Sequence, residues 1–212
     1  MNVQTFLETH FPTVKLTSSL TEQWNEGIHF SLGQGMYQFK DNGELDPAYF
    51  KTVSQQAYTL FNELVDEGDH LFLVAHLYKA KDQEKRLRKT KVFHTYVKNR
   101  QELKHVRVKT EPYPYEIDDG KSYEMQQFSL RCKRGDLRMK PLLQAICHED
   151  FPSLKPRLEG YVTGYPDVWF INETKKRIFH LYDDRGCEII AHDEQEIRTL
   201  YHKYREWLDP YE

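Results

Sequence analysis

The sequence predicts an α+β fold: a mainly antiparallel sheet with packed helices, ending in a β-meander followed by a helix. Three observations carry this. Short apolar or alternating runs bounded by turn residues recur at 27–32, 71–75, 128–132, 168–171, 178–182 and 188–191. Stretches of helical period stand between them, most clearly over 46–64 and from Asp193 onward. The last three strand-like runs are joined only by the polar turns 172–176 and 183–186, which read as tight connections.

Taken in order, Phe6, Leu7 and His10 suggest a short opening helix stopped by Pro12. Gly27 to Leu32 alternates as a strand, and Gly33, Gly35 and Gly43 mark a turn-rich connection. The clearest helix has Asp46 as N-cap and Pro47 at its first position. Tyr49, Phe50, Val53, Ala57, Leu60, Phe61 and Leu64 recur on one face, with Gly68 as the expected stop. Leu71 to Ala75 is a continuous apolar run, short enough for a buried central strand. Val92 to Val97 fits a short helix or a strand. Phe128 to Cys132 reads as a strand and Pro141 to Cys147 as a helix.

In the last third, Val168–Ile171, Ile178–Tyr182 and Glu188–Ala191 form the meander. Asp193 caps the final helix, and Glu196 three residues later completes a capping-box pattern. Ile197, Leu200, Tyr201, Tyr204 and Leu208 mark its apolar face. Trp169, Phe170, Phe179 and Trp207 are expected in packing, with Trp169 and Phe170 on opposite faces of their strand. Gly186 is expected at a left-handed turn position. Residues 1–212 read as a single α+β domain, with a weak boundary near 150–160.

Aromatic residues make up 14% of the chain, which offsets a modest aliphatic content. Cys132, Cys147 and Cys187 lie far apart, in no disulfide or zinc pattern, and read as reduced thiols. The first residues lack the basic and apolar regions of a signal peptide, and no run reaches transmembrane length. The expectation is a cytoplasmic protein without membrane association, cofactor or metal. The net charge of −3 hides a strong segmentation. Residues 1–78 hold three Lys/Arg against ten Asp/Glu, whereas residues 79–109 hold twelve against three.

The stretch Asp167-Val168-Trp169-Phe170-Ile171-Asn172, the run Ile178 to Ala191 with its Tyr182-Asp183-Asp184-Arg185-Gly186-Cys187 core, and Tyr201, Tyr204 and Trp207-Leu208 resemble the domain-of-unknown-function family 3885 of low-GC Gram-positive bacteria. Phe6-Leu7-Glu8, Gly27 to Phe30 and Leu142 to Cys147 extend the resemblance over most of the chain. It implies no activity, since none is assigned to that family, and it carries over no catalytic residue.

His180, Asp183, Asp184 and Arg185 form the densest polar cluster. Two carboxylates and a guanidinium on a turn suit a partner or a phosphate. The plainer reading is favoured: Asp183 caps its own turn while Asp184 and Arg185 are solvated. Asp167 with Glu173 and Lys175 mimics a metal-nuclease pattern, but Glu173 and Lys175 fall on a hairpin tip pointing away from Asp167. Cys147-His148 is a poor nucleophile–base pair because sequence neighbours rarely face each other.

Lys85, Arg86, Arg88, Lys89 and Lys91 head a possible basic patch. It reads as a nucleic-acid footprint or as a solvated face neutralised by the acidic N-terminal third. The leading functional reading is a non-enzymatic module that binds another protein, with an immunity or anti-toxin protein as one version. A nucleic-acid-associated protein using 79–109 is the alternative, and an unrecognised hydrolase the third.

Overall fold

The computed structural model describes residues 1–80, 91–115, 123–158 and 165–208. Its elements are α1 (Val3–His10), α2 (Leu20–Gln23), β1 (Gly27–Ser31), α3 (Pro47–Leu64), β2 (His70–Ala80), α4 (Lys91–Tyr96), β3 (Arg107–Pro112), β4 (Tyr123–Lys133), α5 (Met139–Cys147), β5 (Asp167–Asn172), β6 (Arg177–Leu181), β7 (Gly186–Ala191) and α6 (Glu194–Lys203). Short 3₁₀ helices stand at Arg100–His105, Arg134–Asp136 and Arg205–Trp207.

Among the described residues, seven strands form one sheet in the order β1-β7-β6-β5-β2-β4-β3, and every pairing is antiparallel. The expected meander is β5-β6-β7, with α6 following it. Strands from both sides of 150–160 are neighbours here: β2 pairs β5, and β1 pairs β7.

Both faces of the sheet's centre are covered. On one face, Leu71, Leu73, Phe170, Phe179 and Ile189 pack with α3, α5 and α6 in the larger core. On the other, Phe72, Val74, Trp169, Ile171, Ile178 and Ile190 meet Phe6, Phe11, Val14, Leu16 and Leu20. Alternation therefore does separate Trp169 from Phe170, and each is buried in its own core. Trp207 is partly buried and stacks on Tyr204 with ring centroids 4.7 Å apart.

The helices follow their signals with three corrections. Asp46 and Asp193 both cap as expected, through Ala48 N–H and Gln195 N–H. Glu196 does not complete a capping box; its carboxylate is held by the Arg177 guanidinium on β6. α3 stops at Leu64, four residues before Gly68, because its last carbonyls find side chains instead of another turn. Arg177 donates to Glu63 O and Leu64 O, Asn172 Nδ2 to Leu64 O at 2.9 Å, and Arg134 Nη1 to Val65 O at 2.8 Å. Two guanidinium groups there also oppose the negative end of the helix dipole. Tyr201 is exposed and so lies off the apolar face of α6, and Leu208 lies beyond the helix, bridged to Phe30.

Phe179 sits in the larger core against Phe61 and Phe170, with centroids 5.9 and 6.0 Å away. Replacing it by Ala removes a buried ring on a strand with little freedom to collapse. Phe179→Ala is expected to destabilise the fold by about 3–5 kcal/mol in urea denaturation; an unchanged midpoint would contradict the packing described.

Candidate functional site

The turn between β6 and β7 does not gather the four residues of the sequence-predicted cluster. Asp183 is buried; its Oδ1 accepts the Arg185 N–H at 2.7 Å and its Oδ2 the Arg185 Nε at 2.8 Å. The Arg185 side chain folds back on the turn yet remains 70% exposed. Asp184 is not solvated: it is buried, and its carboxylate accepts Tyr49 Oη at 2.8 Å and Gln38 Nε2 at 3.1 Å. Burial raises its pKa from the usual carboxylate range. Gly186 is not at a left-handed φ, which is found at Gly33, Gly35, Gly43, Ser19 and Lys176. Glycine is needed there for room: a Cβ would collide with the Tyr182 hydroxyl and lie 2.6 Å from Phe30 O.

His180 faces the other side of the sheet. Its ring stacks on Trp169 at 4.6 Å and 17°, and His76 packs on the same indole at 4.4 Å. All three are buried. His180 Nδ1 lies 3.9 Å from Glu188 Oε2, an ion-pair distance too long for a hydrogen bond. Glu188 in turn accepts Leu20 N at 3.0 Å, Thr21 N at 3.3 Å and Thr21 Oγ1 at 2.9 Å, tying α2 to β7. Burial pushes the Glu188 carboxyl up, but His180 and these donors outweigh it and bring its pKa to about 2. His76 Nε2 faces Gln127 Oε1 at 3.0 Å, and burial lowers its pKa to about 4. Tyr78 donates to the Asp167 carboxylate.

The weaker sequence motifs disperse. Glu173 pairs with Arg131 at 2.7 Å and Lys175 with Asp66 at 2.5 Å, at the opposite end of β5 from Asp167. Burial raises the pKa of the Cys147 thiol, and His148 Nδ1 turns to Pro156 O at 2.9 Å. Among the described residues no three His, Cys, Asp or Glu side chains are grouped to hold a metal ion. No helix there is long and apolar enough to cross a membrane.

The remaining candidate is the basic segment. Lys85, Arg86, Arg88 and Lys89 lie outside the described residues; Lys91 opens α4 and is exposed. Beyond it, His94, Arg100, Lys104 and Arg107 are exposed as well. Among the described residues no carboxylate lies within ion-pair distance of Lys91, Arg100, Lys104 or Arg107. Glu63, Asp66 and Glu67 pair instead with Lys203, Lys175 and Arg134. Arg100 and Lys104 stand beside a cavity of about 520 Å³ that the charge pattern did not reveal. Its floor is Phe93, Leu103, Val106, Val108 and Phe128, with His94, Arg100 and Lys104 on the rim. The available signal was the spacing of Leu103, Val106 and Val108 within the basic run.

A family described as "Domain of unknown function (DUF3885)" matches residues 3–212. The chain belongs to this family. It is 49% identical over 211 residues to "Uncharacterized protein YnaE" of Bacillus subtilis (strain 168), covering 100% of this chain and 99% of that protein. No solved structure matches the chain.

Two predictions follow from this geometry. Gly186→Val is expected to lower the melting temperature strongly, whereas Arg185→Ala, which removes a mostly exposed guanidinium and leaves the buried Asp183 carboxylate its bond from the backbone N–H of residue 185, lowers it much less. A thermal melt of both variants decides between them, and a Gly186→Val protein as stable as the parent would remove the close-approach argument. The second concerns His76, whose folded pKa of about 4 lies below its ordinary 6.5. Between those values the unfolded chain binds the extra proton, so His76 contributes stability that is present above pH 6.5 and lost as pH falls toward 4. Urea midpoints measured across that window should decline less in His76→Phe than in the parent.

Proposed function

We propose that this DUF3885 chain is a non-enzymatic, cytoplasmic protein-binding module that holds an acidic partner on the face formed by α4, the 3₁₀ turn Arg100–His105 and β3. One observation carries the reading: Arg100 and Lys104, exposed and with no carboxylate partner among the described residues, stand on the rim of an open cavity with an apolar floor. Unpaired charge speeds and selects encounter with a partner of opposite sign. An apolar recess beside it offers an anchor point of the kind that dominates interface energy.

A nucleic acid would use the same charges. The protein reading is favoured because Phe93 and Phe128 are buried in the floor and present no open ring face for a base. The hydrolase reading has weaker support, since the Cys147 thiol is buried and Asp167 and Glu173 end on opposite ends of one strand. An immunity or anti-toxin protein remains one version of the binding reading, by analogy with small bacterial families and not by physics.

The test is affinity capture from the native cytoplasm at low and high salt, beside the Arg100→Glu/Lys104→Glu double variant. The parent is expected to retain an acidic protein at low salt and release it as salt rises. The double variant should capture at least about tenfold less with a nearly unchanged melting temperature, as exposed substitutions barely alter stability. Equal capture by the double variant would overturn the proposal, and capture abolished by nuclease treatment would replace it with the nucleic-acid reading.

A further inference from the structure

We infer that the outer edge of β3 accepts an extended acidic segment as an added strand, with alternate side chains reading acidic, apolar, acidic. The inference rests on the protein-binding reading and specifies how the partner is held.

The two edges of the sheet differ. β1, at one end, is tied down: Phe30 bridges Leu208, and α2 packs beside it. Among the described residues β3, at the other end, pairs only with β4. Among the described residues, no backbone group of Arg107–Glu111 bonds to anything beyond that pairing. Arg107, Val108, Lys109 and Thr110 are all exposed. Such an edge leaves alternate N–H and C=O groups open to another extended chain.

The side chains on this edge select what can pair. Arg107 and Lys109 stand on one face and Val108 on the other, opposite Phe128 and at the cavity with the apolar floor. Val108 is 57% exposed, so the recess is open next to the edge. A second copy of β3 would bring cations against cations, which opposes self-pairing. An acidic strand brings carboxylates against Arg107 and Lys109 on one face. On the other, its intervening residue lies beside Val108, over Leu103 and Phe93. A cavity of about 520 Å³ accommodates a leucine side chain there. Lys109 already reaches Glu111, so a lysine opposite Glu111 frees Lys109 for the partner.

These pairings define a probe: the acetylated and amidated peptide Lys-Val-Glu-Leu-Glu. Run antiparallel to β3, it sets Lys opposite Glu111, the two Glu opposite Lys109 and Arg107, and Leu opposite Val108. Its affinity is measured by titration at low salt beside two N-methylated forms. One carries the methyl groups on Val and Leu, the other on the two Glu. Strand pairing uses the N–H groups of alternate residues only, so one methylated form should lose about tenfold or more and the other should bind like the parent peptide. At saturation the amides of residues 107–111 should also exchange more slowly with deuterium. Val108→Glu, on an exposed position, should weaken the parent peptide about tenfold without moving the melting temperature. Two methylated forms that both bind like the parent would overturn strand addition, as would absence of binding or of amide protection. The capture experiment with Arg100→Glu/Lys104→Glu stands apart from these results, so docking by charge alone and failure of the protein-binding reading are separately visible.

Discussion

An antiparallel sheet covered on both faces leaves no water for any polar group in its central strands, and much of this structure answers that constraint. β2 and β5 sit in the middle, with helices on one side and the N-terminal segment on the other. A buried polar atom there must bring its partner with it. Asn172 does so fully: it is buried, donates to Leu64 O and Asp69 Oδ2, and accepts Lys175 N–H. It thereby joins the end of α3 to the hairpin between β5 and β6. Glu188 plays the same part on the opposite face, where its carboxylate fixes the start of α2. The His76–Trp169–His180 stack answers the constraint less completely, since His76 Nδ1, Trp169 Nε1 and both His180 nitrogens find no hydrogen-bond partner among the described residues.

The charge segmentation of the sequence becomes a polarity of the surface by a simple route. Carboxylates near the end of α3 are taken up by cations of the C-terminal third, which holds that helix end against β5, β6 and α6. The cations of the middle segment are then left facing outward. Surface pairs of this sort are each worth little. Their consequence lies in which charges remain uncommitted.

Much of the fold was legible because burial leaves a period in the sequence. The runs 168–171, 178–182 and 188–191 and the stripe from Tyr49 to Leu64 all mark elements by their apolar spacing. What escaped has no such period. The second core draws on Phe11, Val14 and Leu16, which lie on irregular chain, and on Leu20 at the start of the one-turn helix α2, and together they follow neither helix nor strand spacing. β3 went unread because an exposed edge strand needs no apolar alternation. At the turn, composition identified the bend but not the neighbours: Asp184 is drawn inward by Tyr49 of α3 and Gly186 is hemmed in by Phe30 of β1, both more than a hundred residues away. Glu196 had the right spacing for a cap and was taken by a stronger partner, Arg177. A long-range ionic contact of that kind has no local signature.

The pairing of β1 with β7 has a consequence in time. Gly27 finds Ile190 about 160 residues later in the chain, and Phe30 finds Cys187. On a ribosome adding about 5–20 residues each second, the N-terminal strand waits on the order of 8–30 s for its partner to be made. Throughout that interval Ile28 and Phe30 lack their partner strand, and the apolar side chains of α1 and the segment after it have at most the β2 part of the surface they cover, without Trp169, Ile171, Ile178 and Ile190. Folding of the intact unit is therefore governed by closure of its longest loop, and the nascent chain depends on whatever shields those residues until the last third emerges.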